Sequence, residues 1–144
     1  MTYSNTTWLE PLQILLIEGS SSDVFLTTEA LKLSGMNFDV HVAHNRSEVT
    51  SFLRSTGDMT QPPPDVILFG LNPFMDETKR LLAELKSDQQ LMFVPLILLA
   101  GSPAECDFLR SAALPADAYL TRPLDTGEFT VCVDALTRVR AAQA

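Results

Sequence analysis

Apolar runs of strand length alternate with stretches of helical period five times along this 144-residue chain, and that alternation leaves little choice of fold. Gln13-Ile14-Leu15-Leu16-Ile17 is too apolar for a half-exposed strand and reads as buried on both faces. A helix follows from about Ser22 to Ser34, with Ser21 or Ser22 as its N-cap and Gly35 as its stop. Phe38 to Ala43 interleaves apolar residues with Asp39 and His41, the pattern of a strand nearer an edge. Asn45 with Glu48 three residues on is a capping-box pattern, and Val49, Phe52 and Leu53 make one apolar stripe behind it.

Three consecutive prolines, Pro62, Pro63 and Pro64, exclude helix and central strand from the loop that starts at Gly57. Val66 to Phe69 is the third strand, and Asp76 to Ser87 the third helix, with Leu81, Leu82 and Leu85 inward. The fourth strand is the apolar run Val94 to Leu99. Ser102-Pro103-Ala104-Glu105 combines an N-cap, a proline at the first helical position and an acid three residues after the cap. Ala118 to Leu120 is a short fifth strand. Asp125 with Glu128 opens a last helix whose Phe129, Cys132, Val133 and Leu136 face inward.

Buried strands joined through helices imply a parallel sheet covered on both sides. The expected architecture is therefore α/β, a flavodoxin-like doubly wound (βα)5 sheet with strand order 2-1-3-4-5. It occupies residues 12–142 as one domain. Residues 1–11 form a leader whose Trp8 and Leu9 can pack onto the body. A chain this long buries about two-thirds of its unfolded surface and requires no covalent staple.

Eighteen acidic against ten basic side chains give a net charge of −8. Such a domain repels nucleic acid and anionic membranes, since both are bound by cations that neutralise phosphate. The first cationic side chain is Lys32, so a signal peptide is not expected, and no apolar run approaches the ~18 residues that span a bilayer. Cys106 and Cys132, far apart and outside any Cys-x-x-Cys pattern, read as reduced thiols of a cytoplasmic protein. His41 and His44 lack a third ligand at metal-binding spacing, so no metal is expected. No nucleophile–base pair or nucleotide motif appears; the chain is not expected to be an enzyme or to carry a cofactor.

In open parallel sheets a ligand sits outside the carboxyl ends of the strands, where the strand order reverses. Glu18-Gly19-Ser20-Ser21, Gly70-Leu71-Asn72, Ala100-Gly101-Ser102 and Thr121-Arg122-Pro123 form that rim. The segment Pro64 to Asp76, with Ile14-Leu15-Leu16-Ile17-Glu18, Asp23-Val24-Phe25-Leu26-Thr27, Val40-His41-Val42-Ala43 and Asp117-Ala118-Tyr119-Leu120-Thr121-Arg122-Pro123-Leu124, resembles the response-regulator receiver family. The resemblance covers about residues 12–140 and is nearest to the single-domain regulators of bacterial phytochromes.

In active members of that family an acidic pair and an acceptor aspartate hold Mg²⁺, assisted by a backbone carbonyl. A hydroxyl residue after strand four and a lysine after strand five bind the phosphoryl group. Transferred to this chain, Glu18 keeps one acid of the pair and Gly19 replaces the other. Gly70 replaces the acceptor, Ala100 the hydroxyl residue and Arg122 the lysine. Asn72 matches the metal-assisting carbonyl, but Pro73 arrives one residue early, and Pro115 replaces a glycine at the end of helix four. One carboxylate of three is a poor site for an ion that demands octahedral oxygen ligands. The resemblance thus implies a degenerate, non-phosphorylatable receiver.

Such a protein is expected to act by contact with a signalling partner, a sensor kinase or downstream regulator, or as a homodimer. No output domain is expected after the last helix, so the family's usual surface, helix four to helix five, is the expected interaction face. Leu109, Leu114, Tyr119, Leu120 and Phe129 are its candidate residues. Two readings compete with this one. An anion or flavin-like ligand would use the same crevice, with Gly19-Ser20-Ser21-Ser22 as an anion cradle and Phe74 as its stacking aromatic; the serines read more simply as helix caps, the preferred reading. Phosphorylation at another acceptor would need Asp65, at the opposite end of its strand, or Asp76, which reads as a helix cap. Glu18 and Arg122 are either an ion pair across the pocket or two solvated charges.

Overall fold

The computed structural model describes residues 10–72 and 75–143, with side chains described as far as residue 137. The leader residues Trp8 and Leu9, and Pro73 and Phe74, lie outside the described residues. Ten elements alternate strictly. In order they are β1 (Leu12–Ile17), α1 (Ser21–Leu33), β2 (Phe38–Ala43), α2 (Arg46–Gly57) and β3 (Val66–Phe69). Then come α3 (Asp76–Ser87), β4 (Leu96–Ala100), α4 (Pro103–Ser111), β5 (Ala118–Thr121) and α5 (Thr126–Gln143). All strand pairs are parallel and the order is β2-β1-β3-β4-β5, the expected flavodoxin-like topology.

Strand alternation divides the core in two. Leu15, Ile17, Ile67, Phe69, Leu96, Leu98 and Ala100 face one side, with Val49 and Phe52 of α2, Leu82 and Leu85 of α3, and Leu109 of α4. Leu12, Ile14, Leu16, Val66, Leu68, Ile97 and Leu99 face the other, against Leu31 of α1 and Phe129 and Val133 of α5. Every residue of β1, β3 and β4 except Gln13 is fully buried, as runs without polar alternation require. Each such large side chain contributes about 1.5–3 kcal/mol on leaving water. Edge strand β2 keeps Asp39 and Val42 exposed.

The helix ends show what the local chemistry selects. Ser20, not Ser21 or Ser22, caps α1, its hydroxyl accepting from Asp23 N at 3.3 Å, and the helix starts one residue earlier than the pattern suggests. Gly35 takes φ +75° past its end. Asn45, Ser102 and Asp125 accept from the amides of Glu48, Glu105 and Glu128 at 3.0, 3.1 and 2.9 Å. Asp76 does not cap α3: Met75 holds that position without a side-chain hydrogen bond, and Asp76 is the first helical residue, where its charge suits the helix dipole. β4 begins at Leu96 and not at Val94, because Pro95 has no N–H for a ladder; its carbonyl still accepts from Ile67 N at 2.9 Å. With Pro115 unable to adopt positive φ, the left-handed turn after α4 falls on Ala113 at φ +55°.

Candidate functional site

The parallel register brings the carboxyl ends of β1, β3, β4 and β5 to a common rim. Ile17 pairs with Phe69, Phe69 with Leu98, and Ala100 with Thr121, so Glu18, Gly70 and Arg122 each follow the last paired residue of a strand. Glu18 is only 3% exposed although it ends a strand at the surface. Its carboxylate is ion-paired with the Arg122 guanidinium across the sheet. The same Arg122 Nη2 donates to the Gly70 carbonyl at 2.7 Å, and Arg122 N donates to the Ala100 carbonyl at 2.8 Å. One residue therefore ties together the ends of β1, β3, β4 and β5, four of the five strands.

Gly70 is what makes room for that arrangement. A Cβ at position 70 would come within 3.0 Å of both Glu18 Oε2 and Arg122 Nη2, closer than real Cβ contacts allow. Gly19 differs: a Cβ there would meet Leu71 Cδ2 at 3.5 Å, an ordinary contact, so a side chain would fit. Ala100 is fully buried and offers no hydroxyl. The Ser102 hydroxyl nearby is committed to capping α4. Asn72 is exposed, and its carbonyl accepts from Met75 N at 3.5 Å.

Burial pushes the Glu18 carboxyl above the usual carboxylate range, and the neighbouring guanidinium offsets part of that rise. The loop after β1 is held from the other side by His44, whose Nδ1 lies 3.0 Å from the Glu18 carbonyl oxygen. His41 Nε2 lies 3.0 Å from Gln13 Oε1, so both histidines have structural partners. Among the described residues no group of three or more histidine, cysteine or acidic side chains is placed to hold a metal ion. Asp65 accepts from Gln13 N at 2.8 Å at the opposite end of the sheet from Gly70.

The five residues expected on an interaction face do not all reach the surface. Leu109 and Phe129 are each 1% exposed and belong to the two core clusters, on the sides of α4 and α5 that turn onto the sheet. Neither can touch a partner. Leu114, Tyr119 and Leu120 are half-buried. Tyr119 donates its hydroxyl to the Leu114 carbonyl at 3.1 Å, and Arg110 lies over its ring at 6.0 Å while donating to its backbone carbonyl at 3.2 Å. Phe108, on the outer side of α4, is 57% exposed and went unnoticed in the sequence pattern.

A doubly wound parallel sheet in the order β2-β1-β3-β4-β5 defines the flavodoxin-like class, and the comparisons narrow it. The response regulator Rcp1 of Synechocystis sp. is 32% identical over 113 residues, covering 78% of this chain and 77% of Rcp1. The chain belongs to the response-regulator receiver family of two-component signalling. Among solved structures, the bacteriophytochrome response regulator AtBRR superposes with a TM-score of 0.72 at 28% identity, over 88% of this chain and 93% of that one. The phosphorylated cyanobacterial phytochrome response regulator RcpA gives 0.62 at 28% identity, over 94% and 97%. No family model matches the chain. Among the described residues no helix is long and apolar enough to cross a membrane.

Proposed function

We propose that this chain is a pseudo-receiver, a response-regulator relative that accepts no phosphoryl group and signals by protein–protein contact in the cytoplasm. The observation that carries the reading is that Gly70 stands at the acceptor position with the Arg122 guanidinium in the space its side chain would enter. Glycine has no nucleophile. A fixed cation paired with Glu18 takes the charge that a metal would otherwise supply, and Ala100 cannot hydrogen-bond a phosphate. RcpA, by contrast, is described as phosphorylated.

Partner binding, to a sensor kinase or a downstream regulator, then depends on the one resting conformation. The surface from α4 through β5 to α5, with Phe108 exposed and Leu114, Tyr119 and Leu120 half-buried, is the docking face of this reading. The clamp of Tyr119 between Leu114 and Arg110 supports a fixed face. A small ligand in the crevice is the weaker reading, because Arg122 takes up the room that Gly70 opens. Incubation with acetyl phosphate and Mg²⁺ followed by intact mass measurement tests the proposal. No added phosphate is expected, and a stoichiometric adduct overturns it.

A further inference from the structure

Three segments meet at the amino edge of the sheet, the pole opposite Glu18 and Arg122. β1 is entered through Pro11, β3 through the loop ending at Pro64, and β4 through the turn that follows α3. The three strands are neighbours in the sheet. Asp65 N donates to the Gln13 carbonyl at 2.7 Å and Ile67 N to that of Pro95 at 2.9 Å, so the entries lie side by side. Their surface is apolar: Pro62 and Pro63 are exposed, Phe93 is 69% and Met92 39% exposed. Residues 59–64 and 89–95 hold no charged side chain, on a chain of net charge −8. Apolar side chains gathered at one pole of a charged protein mark a surface that is covered in use.

What covers it enters the sheet at this pole. Residues 1–9 also hold no charged side chain, and they include Leu9 and Trp8, the one tryptophan of the chain. Trp8 precedes Leu12 by four residues, about 13 Å of extended chain. β4 is the second strand from β1, about 10 Å away, so the turn with Met92 and Phe93 is within reach. The entering chain is also held toward the correct side. Gln13, two residues before Leu15, faces the α2–α4 side, and its Nε2 donates to the Pro11 carbonyl at 3.4 Å. Leu91 and Val94, which flank Met92 and Phe93, are buried on that same side, whereas the exposed Leu33 ends α1 on the other. We propose that the amino pole is a docking site for the chain's own leader, with the Trp8 indole seated on Phe93 and Met92 beyond Pro63. An indole offers the largest apolar surface in the leader and a flat face for an aromatic and a proline ring. Seated there, the leader shields the pole from a second copy or another protein.

Because the full chain has one tryptophan, its fluorescence, excited where tyrosine does not absorb, reports on Trp8 directly. Quenching by acrylamide is expected to be about threefold weaker than for free N-acetyltryptophanamide, since a seated indole loses much of its contact with solvent. Phe93→Ser should restore most of the quenching with an unchanged urea midpoint, as its side chain is largely exposed, and Met92→Ser should restore part of it. Leu33→Ser should leave the protection as it is in the wild-type chain, and so should dilution. Quenching of the wild-type chain equal to that of the free amide overturns the proposal. So does protection indifferent to both Phe93→Ser and Met92→Ser, which puts Trp8 elsewhere on the body, or protection lost on dilution, which puts it on a second copy.

Discussion

Gly70 and Arg122 occupy complementary space: the guanidinium lies where a side chain at position 70 would begin, and its Nη2 hydrogen-bonds the Gly70 carbonyl at 2.7 Å. Neither residue can be understood alone. A glycine without the arginine would leave a void beside the buried Glu18 carboxylate, and the arginine without the glycine would have no route to it. The rim is a cross-strand tie, in which an internal cation joins the ends of β1, β3 and β5.

The interdependence predicts a non-additive response to substitution. Gly70→Ala forces the guanidinium aside and is expected to cost about 1–3 kcal/mol, the usual range for overpacking a filled site. In an Arg122→Ala background the guanidinium's share of that cost should vanish while the contact with Glu18 remains, giving a coupling energy of at least ~0.5 kcal/mol in a double-mutant cycle by urea unfolding. Gly19→Ala, with only ordinary contacts around its Cβ, serves as a near-neutral control. Additive losses for Gly70→Ala and Arg122→Ala would refute the shared-space account.

A second expectation concerns pH. Arg122→Ala leaves Glu18 buried without its partner, and at pH 7 should cost roughly 2–4 kcal/mol, less than a fully enclosed pair because the arginine is partly solvated. Burial already raises the Glu18 carboxyl above its ordinary value of 4.5, and loss of the guanidinium raises it further. A carboxyl whose folded value is raised stabilises the fold below its unfolded value, and that contribution is lost as pH rises through the folded value. The deficit of Arg122→Ala should therefore shrink as pH falls from 7 toward 4.5. Adding Glu18→Gln should abolish this trend. A deficit that does not change across that range would mean that Glu18 ionisation is not involved.

Residue identities made the fold and the positions of its rim legible, because buried parallel strands show as uninterrupted apolar runs and every rim position follows such a run. The remainder depended on side-chain reach. Glu18 and Arg122 are 104 residues apart in sequence, and no pattern distinguishes a paired arginine from a solvated one at a strand end. Leu109 and Phe129 were placed on a docking face by their position in the chain. Yet Leu109 follows Cys106 by three residues on the inner line of α4, and Phe129 precedes Val133 by four on that of α5, spacings that mark core. Pro115 correctly signalled an altered end to α4, but which residue would turn left-handed in its place could not be read from composition.

That residue, Ala113 at φ +55°, gives a third prediction. The left-handed region costs a residue with a Cβ about 1–2 kcal/mol, and glycine avoids that cost. Glycine also has more conformational entropy to lose on folding, about 0.5–1 kcal/mol relative to alanine. Ala113→Gly should accordingly stabilise the fold by about 0.5–1 kcal/mol, an unusual sign for replacing alanine by glycine next to a helix. A lower urea midpoint for the variant would show that the turn is not held in this conformation.

The fourth prediction asks what would restore a metal site. Wild-type chain should gain nothing from millimolar Mg²⁺, where a site with millimolar Kd would add about 1.4 kcal/mol at tenfold excess. Returning carboxylates with Gly19→Asp and Gly70→Asp, and a hydroxyl with Ala100→Thr, is not expected to suffice. The Arg122 guanidinium would pair with the new carboxylate at 70 as it now pairs with Glu18, in the planar two-donor geometry that suits carboxylates, and so compete with the cation. Adding Arg122→Lys shortens the reach and replaces the fork with a single ammonium. Mg²⁺ affinity, followed by the rise in melting temperature, should then increase at least tenfold over the triple variant. Equal affinity with arginine or lysine at position 122 would show that Arg122 does not guard the pocket, and that the loss of the carboxylates alone removed the metal.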